Sequence, residues 1–176
     1  SLVSRKVNIC LHTEIIQAVE ELIDQDEHLI ALINNAANNP KVERNGWADS
    51  DVENFDMTSW TQDLDVGLTG TFNCSRIVGS KMVKSGEQCS ILNISSDLGL
   101  IAPNQSLYKN EDGVILYKPA SYSAVKHGVN GLTKYFSTYW AGENIRCNSI
   151  CPGGIYANQD AEFVKKLSRL IPMGRM

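Results

Sequence analysis

Apolar and polar residues along this chain follow two alternating patterns. Short apolar runs, each followed by a turn or loop signal, cover residues 29–34, 89–95 and 145–151. Segments with helical periodicity cover residues 13–25, 58–84 and 121–141. Strands that alternate with helices are typical of a parallel sheet with helices on both faces. The pattern therefore predicts an α/β fold with a doubly wound parallel sheet.

The first and third helical segments carry apolar stripes at spacings of three and four. The stripe of the first segment is Ile15, Ile16, Val19, Leu22 and Ile23. That of the third is Tyr122, Val125, Val129, Leu132, Phe136 and Tyr139, flanked by Lys126 and Asn130. Such stripes pack against a sheet or another helix. We expect both to contribute to the core, and the third is apolar enough to suit a subunit contact as well.

Size and charge narrow the class of protein. A chain of 176 residues with 43% apolar content can bury one sizeable core, so we expect residues 1–176 to form a single domain. The net charge of -4 is spread without long single-sign runs, which argues against nucleic acid or anionic lipid as a partner. No apolar run is long enough to span a bilayer and no signal-peptide pattern begins the sequence, so a cytoplasmic location is expected.

Cysteine and histidine spacing indicates no metal site. The cysteines (Cys10, Cys74, Cys89, Cys147 and Cys151) contain no Cys-x-x-Cys pair and are expected to be buried thiols. The histidines lack the spacing of a metal-binding helix. We therefore expect no metal.

Tyr122 and Lys126 are the main candidates for chemistry. They are four residues apart on a predicted helix, so both side chains project from one face. A free tyrosine has a pKa near 10, and a nearby ammonium stabilises its phenolate, which makes proton exchange with a carbonyl or alcohol oxygen feasible. Ser96 follows the strand at residues 89–95, where an open parallel sheet places its ligands. Taken alone, each signal is weak, because this spacing is common and a serine can simply end a strand.

Two other strand ends have compatible chemistry. The run Asn34-Asn35-Ala36-Ala37-Asn38 is polar and small enough for a flat ring to approach its backbone. Pro152-Gly153-Gly154-Ile155 is a turn that can expose main-chain N–H groups. Either turn can also be ordinary chain punctuation. Residues 98–119 form a long loop after a strand end, which suits ligand binding or a variable surface excursion.

Four ordered motifs resemble those of the short-chain dehydrogenase/reductase family, in its single-domain branch. They are Asn34-Asn35-Ala36-Ala37, Leu92-Asn93-Ile94-Ser95-Ser96, Tyr122-Ser123-Ala124-Val125-Lys126 and Pro152-Gly153-Gly154-Ile155. The resemblance covers essentially the whole chain and implies a Rossmann-like fold with α/β/α layers. It also implies hydride transfer between NAD or NADP and a small-molecule carbonyl or secondary alcohol.

The resemblance assigns a role to each matching residue. Tyr122 would be the general acid/base, Ser96 would orient the substrate oxygen, and Lys126 would hold the nicotinamide ribose and lower the tyrosine pKa. The adenosine side would be lined by Asn35, Ala36 and Ala37. The nicotinamide would be bordered by Pro152, Gly153 and Ile155.

The sequence departs from the family pattern in several places. No two glycines are two positions apart, so the glycine-rich dinucleotide fingerprint is absent from these residues. Gly67 stands where the family carries an active-site asparagine, and Asn8 where it often has an adenine-contacting aspartate. The interval from Ser96 to Tyr122 is about twice the usual one. The family's chain would also begin two strands before Ser1 and continue beyond Met176, so we expect the fold to be incomplete at both ends.

Two function hypotheses follow. The first is an NAD(P)-dependent oxidoreductase, with a sugar-like substrate suggested by polar loop residues (Asn104, Gln105, Ser106, Lys109 and Asn110). The second is a degenerate, non-catalytic scaffold that does not bind the dinucleotide, motivated by Gly67 and the missing fingerprint. Under either, the resemblance implies a homodimer or homotetramer formed through the helices at about 58–84 and 121–141.

Overall fold

The computed structural model describes residues 3–23, 28–38, 50–108 and 116–176. Its helices are α1 (His12–Ile23), α2 (Met57–Leu64), α3 (Gly70–Ser85), α4 (Ala120–Tyr139) and α5 (Ala161–Ser168). Its strands are β1 (Ala31–Asn34), β2 (Cys89–Ile94) and β3 (Ile145–Ile150). The three strands predicted from the apolar runs are confirmed, each within two residues of its expected bounds.

Local sequence signals explain where the helices begin and end. The Asp56 carboxylate accepts hydrogen bonds from the amides of Thr58 and Ser59, and thereby caps α2. Gly86 ends α3 in the left-handed conformation, with φ of 69°. The Asp160 carboxylate caps α5 through the amides of Glu162 and Phe163. Helix α5 was not among the predicted helices.

The described strands form one parallel sheet in the order β1-β2-β3. Asn34 of β1 pairs with Asn93 of β2, and Asn93 in turn pairs with Ser149 of β3. Since the strands are parallel, their carboxyl ends meet at one edge, where open α/β sheets hold ligands. The predicted parallel α/β architecture is confirmed.

The core lies between the sheet and the helices that cover it. Buried residues of this cluster are Ile15, Val19, Ile77, Val78, Met82, Cys89, Ile91, Phe136, Trp140, Ile145 and Cys147. Among the five cysteines only Cys89 and Cys147 are buried, while the other three are partly exposed. The expectation that all five are buried was therefore wrong.

The expected stripe on α4 is only partly correct. Val125, Val129 and Phe136 are buried, but 64% of Tyr139 is exposed. Lys126 and Asn130, which flank the stripe, are buried as well, at 7% and 8% exposure. Their polar atoms have hydrogen-bond partners in the adjoining strand end and turn.

The single long helix expected at residues 58–84 is interrupted. Asp65–Thr69 form a π-helical turn between α2 and α3, with Gly67 buried inside it. The Thr71 hydroxyl donates to the Gly67 carbonyl at 2.8 Å within this region. Turns of this kind occur often at functional sites.

The long loop after β2 is not structureless. Asp97–Gly99 and Gln105–Leu107 each form a 3-10 turn.

Among the described residues, no helix has the length and apolar content required to cross a membrane. Within the same ranges, the His, Cys, Asp and Glu side chains form no group of three suited to a metal ion.

Candidate active site

A buried amide network joins the carboxyl ends of the strands. Asn34 Nδ2 donates to Asn93 Oδ1 at 2.8 Å and to Ser75 Oγ at 2.9 Å. Asn93, with no exposed surface, donates from Nδ2 to Thr133 Oγ1 at 2.9 Å. The network ties β1 and β2 to α3 and α4. It therefore holds the strand ends in one register beneath the candidate site.

The two consecutive serines after β2 serve different partners. Ser95 Oγ donates to the backbone carbonyl of Lys126 at 2.9 Å, and its amide donates to the Ile150 carbonyl at 2.8 Å. Ser95 therefore fastens β2 to both α4 and β3. This structural role was not anticipated from the sequence, which offers no signal to distinguish one serine from the next.

Ser96 lies at the start of the 3-10 turn that follows β2. Its Oγ donates to Asp97 Oδ1 at 2.8 Å and accepts from the Leu98 amide at 3.2 Å. Leu98 N also donates to Asp97 Oδ1, at 2.8 Å. The Ser96 hydroxyl thus has a defined orientation, with its proton directed to a carboxylate.

The turn that carries Ser96 is clamped onto α4. Asn130 Nδ2 donates to the Gly99 carbonyl at 3.0 Å. A Cβ at Gly99 would lie 2.7 Å from the Lys126 carbonyl oxygen and 2.7 Å from Ser95 Oγ. Position 99 therefore requires glycine for this close approach. The clamp fixes Ser96 relative to the helix that carries Tyr122 and Lys126.

Lys126 and Tyr122 lie together in the first turns of α4. Lys126 Nζ donates to the Ile94 carbonyl at 2.9 Å and lies 5.7 Å from the centre of the Tyr122 ring. Burial lowers the pKa of the Lys126 ammonium, and the Cys151 thiol partly opposes this. The end of β2 thus fixes the ammonium at 5.7 Å from the centre of the Tyr122 ring.

Two further side chains at the site were missed by the sequence analysis. Lys118 Nζ lies 3.8 Å from the centre of the Tyr122 ring, closer than Lys126. Burial and the Lys126 ammonium lower the pKa of Lys118 to about 8. Burial, with Asp97 and Tyr122 nearby, raises the pKa of Tyr108 to about 12. The signal for Lys118 was its position four residues before Tyr122, the same interval as to Lys126.

The other two strand ends carry exposed residues. The Pro152 carbonyl accepts from the Asp97 amide at 3.0 Å, so this turn is joined to the Ser96 segment. Gly153 and Ile155 are exposed, and Asn35, Ala36 and Ala37 are exposed after β1. These predicted cofactor contacts are therefore accessible at the carboxyl edge of the sheet.

Comparison with known sequences agrees with this arrangement. The sequence model described as short chain dehydrogenase matches residues 2–168. The chain belongs to the short chain dehydrogenase family.

Individual members of the family resemble the chain at moderate identity. The 3-oxoacyl-[acyl-carrier-protein] reductase FabG of Thermotoga maritima is 30% identical over 175 residues, covering 96% of this chain and 61% of that protein. The 2-dehydro-3-deoxy-D-gluconate 5-dehydrogenase of Bacillus subtilis is 32% identical over 130 residues, covering 70% of this chain and 46% of that protein. The chain therefore spans about half to three fifths of the length of these relatives.

A solved member of the family has the same fold. The short chain dehydrogenase from Leptospira borgpetersenii, crystallised with bound NAD+, superposes with a TM-score of 0.78 at 28% identity. The match covers 98% of this chain and 61% of that chain. The Rossmann-like fold expected from the motifs is thus confirmed.

The departures from the family pattern have structural correlates. A Cβ at Gly67 would overlap Val125 Cγ1, so the glycine makes room for a valine of α4. Asn8 Oδ1 accepts from the Cys10 amide at 3.0 Å, which turns the chain into α1. Gly67 and Asn8 therefore have local packing and turn roles in this structure.

The loop residues predicted to contact a polar substrate are partly engaged with one another. Asn104 Oδ1 accepts from the amide and the hydroxyl of Ser106, at 3.1 and 2.7 Å. Gln105 Oε1 accepts from the Lys118 amide at 2.8 Å. Lys109 and Asn110 lie outside the described residues. In the described part of the loop, the Asn104 side chain thus stabilises the turn at Ser106, and the Gln105 side chain holds the backbone of Lys118.

Proposed function

We propose that the protein is an NAD(P)-dependent oxidoreductase that transfers hydride between a nicotinamide cofactor and a carbonyl or secondary alcohol. The main support is the position of Lys126, whose Nζ is fixed by the Ile94 carbonyl at 2.9 Å beside the Tyr122 ring. Ser96 begins the turn immediately after the same strand. The bound NAD+ of the Leptospira relative supports the choice of cofactor.

The residues at the sheet edge fit the nicotinamide end of such a cofactor. A lysine ammonium has three donors, and the bond to the Ile94 carbonyl uses one of them. The remaining donors suit ribose hydroxyls. Pro152, Gly153 and Ile155 would border the nicotinamide, and Asn35, Ala36 and Ala37 the adenosine side. When bound, the cofactor supplies or accepts the hydride.

In this proposal, the side chains of the chain handle the proton. Tyr122 would accept the hydroxyl proton during alcohol oxidation and return it during carbonyl reduction. Ser96 would hold the same substrate oxygen. Because its proton points to Asp97 Oδ1, Ser96 Oγ can accept a hydrogen bond from an alcohol directly. Donation to a carbonyl oxygen would require the hydroxyl to rotate away from Asp97.

The substrate class in this proposal is a small polar alcohol or ketone. A sugar-like substrate is supported by the number of polar residues in the loop after β2 and by the name of the Bacillus relative. The engagement of Asn104 with Ser106 reduces the number of free polar groups that the described loop offers.

We also propose that two or four copies of the chain associate through α3 and α4. An open groove between the π-helical turn, α3 and α4 is lined by Leu68, Thr69, Phe72, Gly128, Gly131 and Leu132. Phe72 and Tyr135 expose 39% and 56% of their surface. Apolar surface of this kind favours a symmetric contact with a second copy.

The reaction is tested by assaying the full-length protein with NAD+ and NADP+ on a panel of secondary alcohols. Tyr122→Phe should lower kcat by at least about a hundredfold, because the proton-transfer group is removed. Tyr139→Phe is the matched control, since Tyr139 is on the same helix and 64% exposed. Unchanged turnover in Tyr122→Phe would contradict the assignment. No saturable binding of either cofactor in calorimetry would favour the non-catalytic scaffold.

A further inference from the structure

Tyr122 lies beside two lysine ammonium groups, and that of Lys118, which the sequence analysis did not single out, is the closer one. Lys118 Nζ is 3.8 Å from the centre of the Tyr122 ring, whereas Lys126 Nζ is 5.7 Å from it. An ammonium within about 6 Å of an aromatic ring centre is attracted to the ring, and the attraction grows when the pair is desolvated. The attraction increases further if the ring carries a negative charge. The geometry at Lys118 is thus suited to a phenolate.

The backbone on both sides of this contact is fixed. The Lys118 amide donates to Gln105 Oε1 at 2.8 Å, and the Tyr117 amide donates to Ser50 Oγ at 3.1 Å. Ser50 is buried, with 5% exposure. The residue that follows Lys118, Pro119, is the N-cap of α4. Lys118 is therefore held at the start of the helix that carries Tyr122.

Among the described residues, Lys126, Asp63 and Asp97 act electrostatically on Lys118. Burial has the largest effect and, with the Lys126 ammonium, lowers its pKa to about 8. The carboxylates of Asp63 on α2 and Asp97 after β2 oppose this and favour the charged form. Lys118 is thus charged at neutral pH, as a cation–π contact with the Tyr122 ring requires.

The second phenol of the site does not compete for this role. Burial, Asp97 and Tyr122 raise the pKa of Tyr108 to about 12. Tyr108 therefore stays protonated at neutral pH. Tyr122 has the ammonium groups of Lys118 and Lys126 at 3.8 and 5.7 Å from its ring centre.

We propose that Lys118 is a second positioning residue for Tyr122, whose ammonium lies on the ring and stabilises the phenolate used in proton transfer. This inference rests on the proposed function of Tyr122. Removal of one proton from the Lys118–Tyr122 pair gives either a neutral lysine with a phenol or an ammonium with a phenolate. The close contact favours the second form. Lys126 then remains available to bind the ribose.

The decisive experiment titrates the ultraviolet absorbance of the phenolate in the full-length, cofactor-free protein. The titration of the matching Tyr122→Phe variant is subtracted from each curve, which isolates the signal of Tyr122. In Lys118→Met, the Tyr122 phenolate should appear about one pH unit higher than in the wild type, as expected for loss of a desolvated cation–π contact. Lys118→Arg should restore most of the shift because the positive charge is kept.

Lys134→Met is the control, because Lys134 is an exposed lysine on α4, the helix that carries Tyr122. It should leave the Tyr122 transition in place. In enzyme assays, the acid limb of the pH profile for alcohol oxidation should move upward in Lys118→Met, with the loss in kcat rather than KM. An unmoved Tyr122 transition in Lys118→Met overturns the proposal. A raised KM for carboxylate substrates with an unmoved transition overturns it as well, and makes Lys118 a substrate anchor instead.

The absorbance titration requires neither cofactor nor turnover. A wild-type protein without dehydrogenase activity would therefore contradict the proposed function, while the Tyr122 transition would still decide the role of Lys118. Circular dichroism of each variant confirms that the fold is retained.

Discussion

Gly67 in the π-helical turn lies directly against Val125 in α4, one residue before Lys126. A Cβ built on Gly67 would overlap Val125 Cγ1. The glycine that we expect to replace a family asparagine is thus matched to a bulky neighbour on α4. The two residues have to be considered as a pair.

Restoring an asparagine at this position should not simply restore the family arrangement. Gly67→Asn is expected to destabilise the protein by about 1–3 kcal/mol, because the new side chain overpacks against Val125. Urea unfolding of the single variant and of Gly67→Asn with Val125→Ala measures this. The second substitution should recover a large part of the loss. Gly142→Ala, at an open position outside the proposed contact, is the control and should change the free energy of unfolding by less than about 1 kcal/mol. Additive effects of the two substitutions at positions 67 and 125 would contradict the pairing.

The amide network beneath the site should contribute strongly to stability. Asn93→Ala leaves Asn34 and Thr133 without their shared partner in the interior, and about 2–4 kcal/mol should be lost. Asn148→Ala is the matched control, since Asn148 is an exposed asparagine on the neighbouring strand. Its effect should stay within about 0.5 kcal/mol. Equal losses in the two variants would show that the network adds nothing specific.

The proposed association through α3 and α4 can be tested with glycines that have open space around them. Gly131 lines the groove, and a Cβ added there would meet no neighbouring atom within 4 Å, so Gly131→Arg should fold but block the contact. Gly142, beyond the end of α4, is equally open, and Gly142→Arg should leave association unchanged. Light scattering should show a smaller mass for Gly131→Arg alone. A wild-type protein that is already monomeric would contradict the proposal.

The sequence predicted the strands and the neighbourhood of Tyr122 and Lys126, because both follow from local periodicity. The four-residue spacing on a helix is a short-range property that needs no knowledge of the rest of the fold. The position of Ser96 after β2 followed from the same reasoning, once the sheet was parallel. Their roles in catalysis remain predictions.

What the sequence did not reveal depends on contacts between distant segments. Tyr139 was expected in the core from its spacing, yet it is mostly exposed, since the stripe is wider than the face of α4 that meets the sheet. Asn130 is buried because the Gly99 carbonyl accepts its hydrogen bond from 31 positions away. The contact of Lys118 with the Tyr122 ring depends on the path of the loop, which periodicity does not describe.

The clamp around Gly99 separates the long loop from the sheet. Ser95 Oγ, the Gly99 carbonyl and the Ile101 amide are all bonded to α4 or to the turn itself. Insertions or deletions placed after Ile101 would therefore leave the hydroxyl of Ser96 in place, provided that Gln105 still holds the Lys118 amide. The long interval between Ser96 and Tyr122 is therefore compatible with a fixed position of the Ser96 hydroxyl. The loop is the segment to exchange when variants with new substrates are designed.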